Sequence, residues 1–366
     1  MNQYKSFAIL LLSIVLALIM LIYYEGKRIQ AEDFALGKEN TSRSEAMDGI
    51  PFTGHTLPEI NAIVSHYSGE SKQQKIVLWL SNSQLHTINQ FKQGEHLAPY
   101  WMRNSPQCGG CFVPLGLSLS NANPQEEFIL AQFVQSKLAV KALVLQVEFM
   151  GFRESGLRQD FSDIATDKFV NSLLTYSVGR ELALLANNGK EVESEVKQGA
   201  YGESVDKGLE DLLSSKLGSV WQLWEKRGNL RASVLGDLFE FRNWVFNISS
   251  TSQRKIIKPR YEKNMKALED MLARSKADMV PLVMYIAPVR QDKPLPYDRK
   301  EYSEWKIQIE QLANKYSAKY LDLEKLVPAE DWGSNFGEDI DFMHFQENGH
   351  KLLAKELLPV IQSNLK

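Results

Sequence analysis

Asp341 and His344 stand three residues apart in the run Asp341-Phe342-Met343-His344, near the end of a 366-residue sequence. An imidazole works as a general base near neutral pH when something fixes which ring nitrogen carries the proton, and a carboxylate three residues away can take the other ring N–H. Such a pair calls for a nucleophile. Ser83 offers one far upstream, where the apolar run Ile76-Val77-Leu78-Trp79-Leu80 gives way to the small polar turn Ser81-Asn82-Ser83-Gln84. A serine hydroxyl is a poor nucleophile until a neighbouring base accepts its proton, and the oxyanion formed on attack must be met by preorganised N–H donors. Taken singly, Ser83 and Asp341 could each do no more than cap a helix. Their chain order and setting join them into a candidate acyl-transfer triad.

The elements that must position these residues can be read from periodicity. Strands are expected at 75–80, 115–121, 141–148, 280–287 and 319–323, and amphipathic helices at 124–137 and 302–316. A last helix carries Leu352, Leu353, Leu357, Leu358 and Ile361, so Asp341 and His344 are expected on a loop just before it. Strand, helix and strand in this rhythm argue for a parallel α/β sheet with crossover helices. In such a sheet, ligand sites gather at the carboxyl ends of the strands. The strand exits carry Ser83, Ser120, Arg153, Arg290 and the Asp341 loop, and either arginine could pair with a phosphate or carboxylate of a substrate. Between about 160 and 275 the pattern is helical throughout, and its aromatics, among them Trp221, Trp224 and Trp244, are read as packing residues of an inserted helical subdomain.

The order of these pieces, a strand and serine at the front and Asp-x-x-His before the last helix, resembles the SGNH/GDSL hydrolase superfamily. Within it, an apolar N-terminal segment and a large middle insertion look like the membrane-anchored members, the DltD-like and polysaccharide O-acetyl-transfer proteins. The resemblance covers roughly residues 73–153 and 278–366. It implies a three-layer α/β/α, flavodoxin-like domain in which Ser83 is the nucleophile, His344 the base and Asp341 its orienting acid. It also implies acyl-ester, chiefly O-acetyl, chemistry on a cell-envelope or exported polysaccharide, with a multi-span membrane-bound O-acyltransferase as a partner. The sequence departs from the family at three places. The first block, usually Gly-Asp-Ser, is Ser81-Asn82-Ser83. Gly116 lies early for the second block's glycine, and Val147-Glu148-Phe149-Met150 replaces the third block's Gly-x-Asn-Asp. The oxyanion donors are therefore expected from the Ser83 N–H and the Ser120-Asn121 turn.

Other features bound the reading. With 44% hydrophobic and 24% charged residues the chain is globular, and a formal net charge of −3 gives no general reason to bind nucleic acid. Residues 7–23 are uncharged and almost wholly apolar, followed by Glu25, Lys27 and Arg28 and no small-residue cleavage site, which reads as an uncleaved single-span anchor. The resemblance places the catalytic domain outside the cytoplasm. The expected division is 1–24 anchor, 25–72 tether and lead-in, 73–159 and 278–366 the two parts of the α/β domain, and 160–277 the helical insertion. Cys108 and Cys111 lie in a Gly- and Pro-rich loop, as a short local disulfide or as two free thiols. No Walker loop, dinucleotide fingerprint or zinc-protease motif is present, so no nucleotide or metal cofactor is inferred. The competing reading is a catalytically degenerate domain of the same fold, serving as a scaffold or binding subunit for polysaccharide modification.

Overall fold

The structure is a computed structural model that describes residues 45–47, 49–70, 74–86, 95–108, 110–198, 253–334 and 340–365. The expected anchor (7–23), most of the tether and residues 199–252 of the expected insertion lie outside the described residues. Among the described residues, no helix is long and apolar enough to cross a membrane.

In chain order the elements are β1 (Ala46–Met47), β2 (Ile50–Pro51), β3 (Thr53–Gly54), α1 (Leu57–Glu70), β4 (Ile76–Ser81), α2 (Ala98–Arg103), β5 (Val113–Ser118) and α3 (Pro124–Gln135). They continue through β6 (Val140–Val147), α4 (Asp167–Leu173), α5 (Ser177–Gln198), α6 (Lys258–Ala277), β7 (Leu282–Ile286) and α7 (Arg299–Tyr316). β8 (Lys319–Asp322), β9 (Trp332–Ser334), β10 (Ile340–Phe345) and α8 (Glu347–Asn364) complete the set. A six-stranded sheet has the order β3-β5-β4-β6-β7-β8, and every neighbouring pair in it is parallel. Strands buried on both faces need apolar residues at consecutive positions, which is why 76–80 and 142–145 read as unbroken apolar runs.

Alternate side chains of these strands enter two cores. Ile76, Leu78 and Leu80 join one with α1, α3, α6 and α7, whereas Val77 and Trp79 join the other with α2 and α8. The sheet is thus the middle of three layers. Gly116 explains how α2 can lie so close: a Cβ there would meet Pro99 Cγ at 2.8 Å. Thr53–Gly54, which the sequence reading leaves in a lead-in, pairs with Gly116–Leu117 and forms an edge of the sheet. α6, placed by sequence in the helical insertion, buries Ala267, Leu268, Met271 and Leu272 in the same core as α3 and α7. It is the crossover between β6 and β7.

The chain leaves β4 for β5 on one side and returns past it to β6 on the other. The carboxyl ends of β4 and β6 therefore border the point where strand order reverses, the usual place for a crevice in an open α/β sheet. One sequence expectation needs correcting. Asp341 and His344 do not lie on a loop; they belong to β10, which pairs antiparallel with β9 through Ile340↔Ser334 and Phe345↔Trp332. Trp332 packing edge-on against Phe345 (5.6 Å between ring centroids) anchors this pairing.

α3 begins with a capping box: Asn123 Oδ1 accepts from Gln125 N and Glu126 N, and Glu126 reaches back to Asn123 N. Glu126 is fully buried and would be costly as a lone charge. Arg158 compensates it with bonds from Nε at 3.0 Å and Nη2 at 2.9 Å. Removing one partner of a buried pair leaves the other charge stranded. Arg158→Ala is accordingly expected to lower unfolding free energy by about 3 kcal/mol, read as a drop in the urea midpoint at pH 7.

Candidate active site

Asp341 uses both carboxylate oxygens to set the geometry of its strand and of His344. Oδ1 accepts from the backbone N–H of Met343 (2.8 Å) and of His344 (3.0 Å), while Oδ2 lies 2.9 Å from His344 Nδ1. An ionised carboxylate can only accept, so Nδ1 carries the hydrogen and Nε2 holds the lone pair, as a base requires. Both side chains are about 95% buried, with relative exposures of 5% and 4%.

Ser83 opens a single 3₁₀ turn directly after β4. Asn82 caps it, Oδ1 accepting from Gln84 N at 2.9 Å, and the turn closes through His86 N donating to Ser83 O at 2.9 Å. What brings this turn to β10 is Gln84. Its Nε2 donates to Met343 O and to Pro288 O, each at 3.0 Å, and Ser83 and His344 are each the chain neighbour of one residue of the Gln84–Met343 contact. Gln84 is held in turn by Gln146 of β6, whose Nε2 donates to Gln84 Oε1 (2.9 Å) and to Asn82 Oδ1 (3.2 Å). Gln146 Oε1 accepts from Ser81 Oγ and from Tyr285 OH, and Tyr285 accepts from Trp79 Nε1 at 3.2 Å.

Two further imidazoles, His86 and His350, lie close enough to His344 to interact with its charge, and a third, His55, packs on His86. His86 Nε2 lies 3.3 Å from Ser118 O, which can only accept, so the hydrogen sits on Nε2. Its ring packs edge-on against His55 at 4.3 Å, and His55 Nδ1 is 2.8 Å from Ser118 Oγ. Burial, reinforced by His55 and His344, holds the His86 pKa well below its ordinary value. His350, fully buried one turn into α8 beside Phe345, is pushed down to about 3 by burial and, secondarily, by His344. Both rings are neutral over the physiological range. The sequence reading of His350 as a structural residue agrees with its place inside α8.

The remaining sequence candidates lie as follows. Ser120 O accepts from Arg158 Nη2 at 3.0 Å, and Asn121 adopts a left-handed conformation with φ 51°, so both form a fixed turn after β5. Arg153 donates from Nε to Lys255 O at 2.8 Å. Arg290 pairs with Asp292 and donates to Gly333 O at 3.1 Å, tying the β7 exit to β9. Neither arginine is bonded to Asp341, His344 or the Ser83 turn. Cys108 and Cys111 form a disulfide with an S–S distance of 2.06 Å. The sequence reading did not single out Gln84, Gln146, His86, His55, Ser118 or Arg158. One signal was present for Gln146, a lone amide in the otherwise apolar Ala142-Leu143-Val144-Leu145-Gln146-Val147.

No family model matches the chain, and no curated protein matches it. Among solved structures, a GDSL-like lipase of Bacteroides thetaiotaomicron is similar over 82% of this chain and 98% of its own, at 9% identity and a TM-score of 0.36. A candidate acylhydrolase of Bacteroides fragilis is similar over 86% of this chain and 100% of its own, at 9% identity and a TM-score of 0.38. An acetyl-xylooligosaccharide esterase of Geobacillus stearothermophilus is similar over 78% and 94%, at 9% identity and a TM-score of 0.36. At these values the chemistry of the site has to be argued from its own residues.

Two outcomes follow from the network and the buried rings. Gln146→Leu leaves Gln84 Oε1 without its donor, while Asn82 Oδ1 keeps the Gln84 N–H, and is expected to cost about 2 kcal/mol of stability, read by urea unfolding. For His350, the folded pKa of about 3 lies below its ordinary 6.5. The unfolded chain therefore takes up the proton first, and stability falls as pH drops from 6.5 toward 3. Between pH 7 and pH 5 this group should remove about 2 kcal/mol, and His350→Leu should shrink the difference in urea midpoint between those two pH values.

Proposed function

We propose that this chain is an SGNH-type serine ester hydrolase or acyltransferase working through an acyl-serine intermediate. One observation carries the reading: an Asp341–His344 pair with the base lone pair on Nε2, joined through Gln84 and Met343 to the strand-end turn that bears Ser83. Ser83 Oγ attacks the acyl carbonyl carbon while its proton passes to His344 Nε2. The bond to the leaving alcohol then breaks as His344 returns that proton to the departing oxygen. Water or an acceptor hydroxyl then attacks the acyl-serine carbonyl with His344 again as base, the acyl–Oγ bond breaks to release the acid or the new ester, and the proton returns to Ser83 Oγ. Asp341 stabilises the imidazolium formed in each step and does not itself take the proton. The first N–H groups of a helical turn have no partner within the turn, so the Ser83 N–H and the rigid Ser120-Asn121 turn are assigned to the oxyanion.

The finer reading is a membrane-anchored enzyme acting on O-acetyl esters of a cell-envelope or exported polysaccharide, supplied by a multi-span O-acyltransferase. It rests on the apolar segment 7–23 and on the family resemblance. A scaffold of the same fold is the second reading, and Phe149 favours it by standing at the β6 exit where the family carries an asparagine donor. The two separate on one experiment. The full chain is treated with a fluorophosphonate serine probe beside Ser83→Ala and His344→Ala, and p-nitrophenyl acetate turnover is followed in parallel. Labelling of the parent, none in either variant and a fall in kcat on the order of 10⁴ are expected. A folded parent that neither labels nor turns over the ester would leave the scaffold reading.

A further inference from the structure

β6 ends at Val147, and the chain turns at once through Met150–Arg153. This turn brings two guanidinium groups to one sulfur: Arg153 Nη1 lies 3.8 Å and Arg254 Nη1 3.3 Å from Met150 Sδ. Arg254 comes from far along the chain, fixed by its backbone N–H donating to Pro296 O at 2.8 Å and by a parallel bridge to Tyr297. Tyr297 borders the β6 exit together with Glu148 and Phe149, within electrostatic reach of both arginines. The same exit adjoins the point where strand order reverses. Gln146, which holds Asn82 and Gln84 of the catalytic turn, stands four residues before Met150, at most about 14 Å along the chain. One extended molecule can therefore reach both the Ser83 turn and the arginine pair.

The charge of this pair is not balanced by the protein. Among the described residues, neither Arg153 nor Arg254 has a carboxylate within ion-pair distance, whereas Arg158, Arg260, Arg274 and Arg290 each do. Glu154, the acid next to Arg153 in the chain, stands 3.6 Å from Arg260 instead. A thioether is uncharged and accepts only weakly, so Met150 does not offset two permanent cations. Burial, and then the charge of Arg254, push the Arg153 guanidinium below its ordinary value, as expected for like charges held together in a half-buried place. Donors remain open on both side chains. Arg153 spends Nε on Lys255 O, but its Nη2, and Nε and Nη2 of Arg254, have no hydrogen-bond partner among the described residues. Both side chains are half-buried and none of these nitrogens is enclosed, so a solute can reach them. An anion with two or more oxygens can accept from both planar forks at once.

We infer that Arg153 and Arg254 form a subsite for an oxyanion, a carboxylate or phosphate borne by the molecule that carries the ester. The inference rests on the ester-hydrolase reading and deepens it, since it makes the substrate acidic. Arg290, already paired with Asp292, takes no part. Because the site is half-exposed, its attraction for the anion weakens as salt rises.

The test reads binding before turnover. Saturation-transfer NMR on the full Ser83→Ala chain compares methyl glucuronide, which carries a carboxylate, and glucose 6-phosphate with neutral methyl glucoside. Transfer to one or both acids, well above that to the glucoside and falling as NaCl is raised, is expected; which acid responds tells carboxylate from phosphate. Adding Arg254→Gln should weaken the Kd of the bound acid about tenfold, whereas Lys355→Gln, which removes an exposed charge from α8, should leave it in place. Arg254 is the first choice because its side chain is bonded only to Met150 Sδ; Arg153→Gln, which also gives up the bond to Lys255, is the second. No transfer to either acid, equal transfer to the glucoside, or transfer indifferent to both arginine variants overturns the subsite. On the parent, Arg254→Gln should lower the ratio of kcat/KM for methyl O-acetylglucuronide to that for p-nitrophenyl acetate by about tenfold. A parent that turns over neither ester would sink the enzyme reading and leave the binding result standing.

Discussion

A primary amide buried in an apolar strand has to find partners for two donors and two acceptor positions, and Gln146 finds all of them. Its oxygen accepts from Ser81 and Tyr285, and its nitrogen donates to Asn82 and Gln84. In a low-dielectric interior such a network is stable only when complete. Completeness here means that the end of β4 has one acceptable shape. Gln84, held by Gln146 through its oxygen, then has both N–H groups directed at Pro288 and Met343. The position of Ser83 relative to His344 thus descends from one side chain on a neighbouring strand, relayed through a second.

The electrostatics around the base follow from burial. Asp341 is the carboxylate bonded to His344, and the nearest other imidazoles, His86 and His350, are kept neutral by desolvation. A charged ring at either place would oppose the positive charge that His344 carries in the proposed steps. Keeping them neutral has a cost in stability at acid pH, where the unfolded chain gains protons that the folded chain refuses. Burial therefore tunes the site and limits its acid tolerance by the same mechanism.

The loops around the crevice are held more by side chains than by regular structure. Arg158 links Glu126 of α3 to Ser120 O, and Arg290 links the β7 exit to β9. Each arginine uses several donors of one planar group to join segments distant in sequence. This is the setting in which Arg290 serves, although its position at a strand exit could as well have suited a substrate anion.

Much of this protein was legible in the sequence because the governing signal is local. Unbroken apolar runs mark strands buried on both faces, apolar residues at helical spacing mark α3, α7 and α8, and Asp-x-x-His places a carboxylate within reach of an imidazole whatever surrounds it. Other features are decided by contacts between residues far apart in the chain. β10 is a strand because Trp332 and Ser334 pair with it; from sequence, a short Phe-Met-His-Phe run after a glycine-rich loop reads as coil. Gln146, His86 and Tyr285 look unremarkable in one dimension, as an amide, an imidazole and a phenol among apolar neighbours. Packing removes water from them, and only then does each polar atom have to find a partner. Periodicity determined which segments are buried strands and amphipathic helices, and spacing alone placed Ser83 at a strand end and Asp341 beside His344. Tertiary structure alone decided which amides and rings hold those residues, because desolvation acts on neighbours in space.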